Sequence, residues 1–234
     1  MNPLWTEIAE RAGAVLLPVQ HELLGQYLDL LLAANLRMNL TRITNREAAE
    51  VQHVGDALTL LRYLPAGPIK LADLGSGGGV PGIPLAIARP DAQVLLIEST
   101  KKKASFLAET ARELGLHNVR VSDQRAEDAG RSPEMRESFD VVVARAVATL
   151  DWLVEWCLPL VKKGGRMLAM KGEKASEELP LAEHAIRLLG GGSPDVHPAD
   201  LPGARHHVIV EVRKNQMTPA IYPRPATHTR APLR

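Results

Sequence analysis

The amino-acid sequence predicts an α/β fold in which a mostly parallel sheet carries helices on both faces and follows a helical N-terminal extension. Three observations support this prediction. Apolar residues recur at helical spacing in residues 1–66, short apolar runs alternate with helical patterns in residues 67–214, and a glycine-rich loop follows the first of those runs. A basic, proline-containing tail, residues 215–234, forms the rest of the sequence.

The N-terminal extension is predicted to contain two long helical segments. In the first, Leu24, Leu28 and Leu31 lie three or four residues apart and form one apolar face. The second begins at Thr44 or Asn45, since either side chain can accept a hydrogen bond from the first helical turn. The segment PAGP, residues 65–68, breaks this helix and marks a boundary.

Strand and helix patterns alternate from residue 69 onwards, which predicts parallel strands joined by crossover helices. Strands are predicted at residues 69–74, 92–98, 118–123, 139–146, 166–172 and 206–214. Helices are predicted from Pro81 and at residues 101–116, 150–165 and 177–189. The Gly/Pro/Asp-rich stretch before the final strand and the tail are predicted to be irregular.

The composition is that of an ordinary globular protein, with 45% hydrophobic and 24% charged residues. The one cysteine, Cys157, excludes a disulfide framework and offers no metal cluster. The sequence has no apolar run near 18 residues and no signal-peptide pattern at its start, so we expect a cytoplasmic protein without a membrane span or a metal.

The net charge of +1 does not by itself indicate nucleic-acid binding, but the charges are unevenly distributed. Lys101, Lys102 and Lys103 form one basic cluster, and no acidic residue follows Glu211. Basic clusters can follow a phosphate backbone. Ordinary solvated surface charge explains them equally well at this stage.

The glycine-rich loop, LADLGSGGGVPGIP at residues 71–84, is typical of a site for a nucleotide-like cofactor. A nucleoside triphosphate is disfavoured because Gly82 is followed by Ile83 rather than by the lysine of a P-loop. A dinucleotide is disfavoured because Asp73, two residues before Gly75, would oppose a pyrophosphate. The same carboxylate suits the cationic sulfonium and ammonium groups of S-adenosylmethionine, which we therefore favour over NAD.

Residues after the next strands agree with a nucleoside site. Glu98 ends the second predicted strand, where an acid can accept hydrogen bonds from both ribose hydroxyls of NAD or of S-adenosylmethionine. The backbone amides of Ala126 and Glu127 can lie against an adenine edge. Cys157 lies in an apolar helical pattern and is predicted to be core, so it is no candidate nucleophile for pyrimidine methylation.

Several motifs resemble one family. The motifs, in chain order, are NLT (39–41), HVGDAL (53–58), DLGSGGGVPGIPLAI (73–87), IESTKKKASFL (97–107), RAED (125–128), ARAVA (144–148), MKG (170–172) and YPR (222–224). Together they make the chain similar to the GidB, or RsmG, family of bacterial 16S ribosomal RNA guanine-N7 methyltransferases. The resemblance covers nearly the whole chain.

The resemblance implies a class I S-adenosylmethionine-dependent methyltransferase with a Rossmann-like fold. Its implied reaction is methylation of N7 of a single guanine, guanine 527 in the 530 loop of 16S rRNA, and its partner is that RNA or the small ribosomal subunit. Near the target base the resemblance implies Arg145, Asn39, Thr41, His53 and Lys171. With the glycine loop it gives as cofactor-binding candidates Asp73, Gly75, Ser76, Gly77, Gly79, Val80, Glu98, Ser99, Thr100, Ala126, Glu127 and Arg145.

The sequence departs from the family's pattern in three places. Ala57 replaces a usual serine, and Val80 stands where an aromatic residue or leucine is common. The usually more basic tail reads YPRPATHTRAPL here, with Pro225 in place of an arginine and Arg230 in place of a lysine.

Guanine N7 carries an available lone pair, so its methylation needs orientation rather than a general base. Arg145, at the carboxyl end of a predicted strand, can donate to the donor or to the base. His53 and Asp56 share a helix face, and Asp56 is a candidate for stabilising the charged product ring. Other readings stay open: a methyltransferase of a small molecule or a protein, a donor-binding sensor, or an NAD-binding oxidoreductase. We expect a monomer.

Overall fold

The N-terminal extension is helical, as its apolar spacing predicts. The computed structural model describes residues 1–201, 207–227 and 231–233. Helix α1 spans Pro3–Arg11 and α2 spans Pro18–Met38. A helical rod then runs through residues 46–63 and consists of α3 (Arg46–Ala49), a π-helical segment (Glu50–Gly55), α4 (Asp56–Leu58) and a 3₁₀ turn (Thr59–Tyr63). The Asn45 side chain caps the rod by accepting from Ala48 N.

A seven-stranded sheet forms the centre of the fold, in the order β3-β2-β1-β4-β5-β7-β6. Strands β1 to β5 pair in parallel, whereas β7 pairs antiparallel with both β5 and β6. The strands are β1 (Lys70–Leu74), β2 (Gln93–Ile97), β3 (Val119–Ser122), β4 (Phe139–Arg145), β5 (Val161–Lys171), β6 (Asp195–Pro198) and β7 (Val208–Arg213). The predicted mostly parallel sheet is confirmed.

Helices cover both faces of the sheet. The remaining helices are α5 (Gly82–Ala88), α6 (Lys101–Glu113), α7 (Ala126–Ala129), α8 (Leu150–Cys157) and α9 (Ala175–Leu188). One core contains the N-terminal helices and strand residues such as Leu71 and Val141, and the other contains α8, α9 and the neighbouring Ala72 and Val142. Successive strand residues thus face opposite cores, as the period of two requires. Cys157 is fully buried, as predicted.

Two sequence predictions about the second half of the sheet are wrong. The helix predicted at 150–165 ends at Cys157, and β5 already begins at Val161. A bulge lies opposite in β4, and a Cβ on Gly165 would come within 2.6 Å of the Asp140 carbonyl oxygen. The stretch predicted as irregular before the last strand contains β6. The predicted start of the last strand, His206, lies outside the described residues.

The described tail residues, 215–227 and 231–233, form no helix or strand, as predicted, but they pack against the domain. Arg136 donates to the backbone carbonyls of Thr218 and Tyr222, at 2.7 Å each. Arg224 forms an ion pair of 2.6 Å with the buried Glu155. Arg230 and Arg234 lie outside the described residues, so the structure does not bear on their part in a basic tail. In the ranges described, no helix is long and apolar enough to cross a bilayer.

Candidate active site

The glycine loop connects β1 to α5 in a backbone conformation that favours glycine. Gly75, Gly77 and Gly79 have φ values of +72°, +56° and +98°. A Cβ at Gly75 would lie 2.6 Å from Val147 Cγ2, so this position also has no room for a side chain. The Tyr27 hydroxyl donates to the Gly78 carbonyl oxygen at 2.9 Å and fixes the loop to α2. The N-terminal extension therefore holds the loop in place.

Two carboxylates lie at the ends of the neighbouring strands β1 and β2. Asp73 is buried, its Oδ2 accepts from Gly82 N at 3.0 Å, and its Oδ1 has no hydrogen-bond partner among the described residues. Burial raises the pKa of Asp73 to about 7. Glu98 accepts from Gly77 N at 3.0 Å and from Thr100 N at 2.7 Å, which orients it beside the loop.

A cleft of about 290 Å³ opens beside these carboxylates, and we call it the donor cleft. Its lining includes Leu74, Gly75, Ile97, Glu98, Ser99, Gln124, Arg125, Ala126, Glu127, Val147 and Trp156. The indole nitrogen of Trp156 is buried and has no hydrogen-bond partner within the described part of the chain. Arg125 lies 3.6 Å from the Glu127 carboxylate, which offsets its charge.

The donor set of this cleft fits a cationic nucleoside better than a dinucleotide. A pyrophosphate would meet the carboxylates of Glu98 and, beneath the loop, Asp73, whereas a sulfonium or ammonium group is attracted to them. The glycines leave the space that side chains would fill, and the orphaned Trp156 N–H offers a further donor. These residues fit S-adenosylmethionine. Ser76 and Val80 belong to the buried part of the loop, and Gly79 packs against Ile83, so they support the loop from behind.

Arg145 ends β4 and is held by three groups of the helical rod. Its Nη1 donates to the Gln52 carbonyl oxygen at 2.5 Å and to Asp56 Oδ2 at 3.2 Å, and its Nη2 donates to His53 Nδ1 at 2.9 Å. Because Nδ1 accepts, His53 Nε2 donates to Thr41 Oγ1 at 3.0 Å. Burial and the charge of Arg145 lower the pKa of His53 to about 4, so its imidazole is neutral at pH 7.

A second cleft of about 430 Å³, the target cleft, lies on the other side of the loop after β4. Arg145 and Ala146 line it, and the next residue, Val147, lines the donor cleft. Asp56 and His207 also line it, and His207 Nδ1 lies 3.4 Å from Asp56 Oδ1. The hydrogen bond to Asp56 raises the pKa of His207.

Only some of the residues that the sequence predicts near the target base lie in the target cleft. Lys171 lines the target cleft, but its ammonium pairs with Glu178 at 2.6 Å and donates to the Ala148 carbonyl oxygen. Asn39 is exposed, ends α2 with a φ of +51° and does not line either cleft. Arg145 and His53 are brought together, as a shared role requires. Asn39 therefore acts mainly as the end of a helix in this arrangement.

Sequence reasoning missed several residues of the site, His207 and Trp156 among them. His207 lies 151 positions from Asp56, and nothing in the local pattern connects them. Trp156 faces the donor cleft from α8, whose apolar pattern indicated only a core helix. Both contacts depend on the fold of the sheet and not on local spacing.

Solved structures similar to this chain share its fold. A putative S-adenosyl-L-methionine-dependent methyltransferase from Methanococcus maripaludis has a TM-score of 0.55 and 12% identity, and the match covers 73% of this chain and 90% of that one. A variant of the 16S rRNA (adenine(1408)-N(1))-methyltransferase from Catenulisporales acidiphilia, solved with its cosubstrate SAM, has a TM-score of 0.51 and 13% identity, covering 64% and 87%. At these identities the likeness concerns the fold alone.

Sequence relatives match the chain from end to end. A protein named ribosomal RNA small subunit methyltransferase G from Lactobacillus delbrueckii subsp. bulgaricus is 41% identical over 100% of both chains. One of the same name from Moorella thermoacetica is 40% identical over 98% of this chain and 97% of its own. The family model described as GidB, rRNA small subunit methyltransferase G, matches residues 20–206. The chain therefore belongs to the GidB family of rRNA small subunit methyltransferases.

Proposed function

We propose that this protein transfers a methyl group from S-adenosylmethionine to N7 of a single guanine in 16S rRNA, guanine 527 by the family resemblance. Family membership supports the methyltransferase activity and the RNA substrate. The observation that carries the choice of reaction is Arg145, an arginine clamped at the end of β4 between the donor cleft and the target cleft and placed to orient a base. Methylation of N7 depends on such orientation, because the acceptor atom has no proton to lose.

The donor cleft holds the cofactor through oppositely charged and polar groups. Glu98 is placed to accept from the ribose hydroxyls, and Ala126 and Glu127 present backbone amides beside it. Asp73 supplies negative charge under the glycine loop, close to where the methionine part would lie. When bound, S-adenosylmethionine supplies an electrophilic methyl group. The chain's task is to hold that group against the target cleft and to exclude water.

On the target side Arg145 orients the base. Its contacts with Gln52, Asp56 and His53 use three N–H groups, which leaves two of the five guanidinium donors for the carbonyl O6 of a guanine. His53 remains neutral and accepts from Arg145, so it positions the guanidinium and does not remove a proton. The carboxylate of Asp56 lies in the same cleft and lowers the energy of the positively charged product ring.

We further propose that the protein works as a monomer in the cytoplasm on the small subunit or its RNA. Within the described residues, no cluster of three or more His, Cys, Asp or Glu side chains could hold a metal ion. The reaction proposed here needs none, since positioning and the charged donor are sufficient.

The test is transfer of labelled methyl groups to 16S rRNA that lacks its own modification, followed by nucleoside analysis. We expect label in 7-methylguanosine at one site. Arg145→Ala should lower the rate on the order of 100-fold, and Arg145→Lys should recover little because an ammonium cannot reproduce the fork of donors. Arg187→Ala, an exposed arginine on α9, is the matched control and should leave the rate unchanged.

Other outcomes contradict specific parts of the proposal. Label in a different nucleoside would refute the N7 assignment but keep the cofactor. An unchanged rate in Arg145→Ala would refute the role of the clamp. No label in free RNA or in whole small subunits would refute the RNA substrate and favour a small-molecule or protein acceptor.

A further inference from the structure

A third cleft, of about 350 Å³, lies next to the target cleft, and we call it the outer cleft. Thr59, Arg62 and Tyr63 of the helical rod form one wall, and His197 of β6 belongs to the opposite wall. Ala199 lines both the outer cleft and the target cleft, so the two are contiguous. Nothing in the reaction described above uses the outer cleft.

The helical rod connects the two clefts directly. Its residues Gln52, His53 and Asp56 hold Arg145 in the target cleft, and its last turn forms the wall of the outer cleft. Tyr63 lies seven positions after Asp56, which corresponds to roughly 10–14 Å at helical rise. A strand that places one base in the target cleft can therefore place a neighbouring nucleotide in the outer cleft.

The outer cleft contains a pair of stacked rings. The ring centroids of Tyr63 and His197 are 4.7 Å apart, with an interplanar angle of 29°. Both side chains are half-buried, so each ring keeps an accessible part. His197 Nε2 lies 3.3 Å from the buried Glu211 carboxylate, which fixes the ring's orientation. Fixed, partly exposed aromatic rings are the surfaces on which unpaired bases stack.

Basic groups stand around the ring pair. Arg62 is exposed and directly precedes Tyr63, and Arg11 at the end of α1 lines the same cleft. Arg11 is partly offset by Glu7, and Asp200 is an acidic residue of the lining. The guanidinium of Arg62 is thus placed to meet the phosphate of a nucleotide whose base lies on the rings.

We propose that the outer cleft binds a nucleotide of the same RNA strand that carries the target base, with its base against Tyr63 and His197 and its phosphate near Arg62. This inference rests on the proposed function for the identity of the RNA. It adds to that function a second point of contact outside the methyl-transfer site. Such a contact fixes the register of the strand and so determines which base enters the target cleft.

The test measures binding of a fluorescein-labelled single-stranded RNA of the 530 loop by anisotropy, without the need for turnover. Tyr63→Leu should weaken binding about five-fold or more, and Tyr63→Phe should retain it because the ring is kept. Arg62→Ala should weaken binding and reduce the salt slope by about 0.7. Binding of S-adenosylmethionine, measured by calorimetry, should be unchanged in all three variants.

The controls separate this inference from the proposed function. Arg187→Ala removes another exposed arginine and should not change RNA binding. If the wild type binds RNA in a Tyr63-dependent manner but transfers no methyl group to it, the outer-cleft proposal is supported and the proposed function is refuted. If the wild type methylates RNA while Tyr63→Leu and Arg62→Ala bind it normally, the outer-cleft proposal is overturned. If the wild type does not bind the RNA, the outer-cleft proposal is overturned, and the proposed function is decided separately by methyl transfer to whole small subunits.

Free nucleotides provide the last arm of the test. Cytidine monophosphate offers a base and a phosphate without a strand. Binding as tight as that of the RNA, lost in Tyr63→Leu, would assign the cleft to free nucleotides and overturn the strand assignment. Weak binding beside tight RNA binding would support the strand.

Discussion

The pKa values of two buried ionisable side chains of the site are shifted in opposite directions. Burial raises the pKa of Asp73 to about 7, and burial with the charge of Arg145 lowers the pKa of His53 to about 4. Each shift disfavours the charged form. His53 is best suited to be a neutral acceptor for Arg145, whereas Asp73 needs a cation to remain charged. A buried carboxylate without a full set of partners is a cost to the fold that a cationic ligand can offset.

The substitution Asp73→Asn tests this cost. Because the folded pKa lies above the unfolded value of 3.8, the native state binds more protons between pH 4 and pH 7, and the free energy of unfolding falls as pH rises through that window. Above pH 7 the loss is complete and amounts to at most about 4 kcal/mol. The variant, whose amide oxygen can still accept from Gly82 N, should lack this decline.

Urea unfolding of both proteins at pH 4.5 and pH 8, without ligand, gives the comparison. The variant should gain stability relative to the wild type on going to pH 8, and the titration of His53 cancels because both proteins contain it. Binding of S-adenosylmethionine at pH 8 should be weaker in the variant. A stability difference that does not change with pH would contradict the burial argument.

At the scale of elements, the sequence predicts best those strands that are buried on both faces. The run VVVA in β4 is apolar throughout because cores lie on either side of it. The start of β5 was missed because Lys162 to Gly165 looks like the end of a helix, whereas Gly165 is needed where the strand passes close to Asp140. Strand β6 was missed because it pairs only with β7 and has an exposed edge.

The composition of the C-terminal tail suggests a basic arm. Its contacts instead make it a strap, a segment held against the domain. Glu155 of α8 is fully buried and accepts from the backbone N, Nε and Nη2 of Arg224, at 2.9, 2.8 and 2.6 Å. The guanidinium is therefore engaged within the protein. A buried carboxylate that loses its partner is strongly destabilising, by roughly 3–5 kcal/mol.

We expect Arg224→Ala to lower the free energy of unfolding by roughly 3 kcal/mol, since Glu155 would stay buried without its bidentate partner. Arg224→Lys should recover only part of the loss, because one ammonium cannot make the two parallel bonds. Urea unfolding curves give the values. Arg187→Ala, whose ion pair on α9 is exposed, is the control and should change stability by less than about 1 kcal/mol. Equal effects of the two alanine variants would contradict the strap.

At the scale of the whole molecule, the donor side of the site could be predicted and the target side only in part. The donor side follows from local features, the glycine loop and the acids that end β1 and β2. Arg145 lies 89 to 93 positions along the chain from the three residues that clamp it, and His207 lies 151 positions from Asp56. Such contacts are set by strand order. The family motifs supplied Arg145 and His53, but not the hydrogen bonds between them.

The charge distribution of the whole molecule also has to be read from the structure. The net charge is only +1, and among the described basic residues that follow Glu211, Arg213, Lys214 and Arg224 all have acidic partners. Lys101 and Lys102 differ from these residues. They are exposed in the first turn of α6, and that turn contains no acidic residue. Cations at a helix N-terminus oppose the helix dipole, at about 0.3–1 kcal/mol each. Their placement favours a role outside the fold, such as contact with RNA phosphates.

Replacing both lysines, Lys101→Ala with Lys102→Ala, should therefore stabilise the protein slightly and weaken RNA binding at the same time. Each lost phosphate contact should reduce the slope of log Kd against log salt by about 0.7–0.9, so the double variant should lose roughly 1.5. Arg112→Ala, in the last turn of the same helix, is the matched control. It removes a charge that the dipole favours, so it should destabilise slightly and leave the salt slope unchanged. Weaker RNA binding with an unaltered salt slope would show that the lysines act on the fold and not on phosphates. An unchanged affinity would show that the two lysines do not contact the RNA.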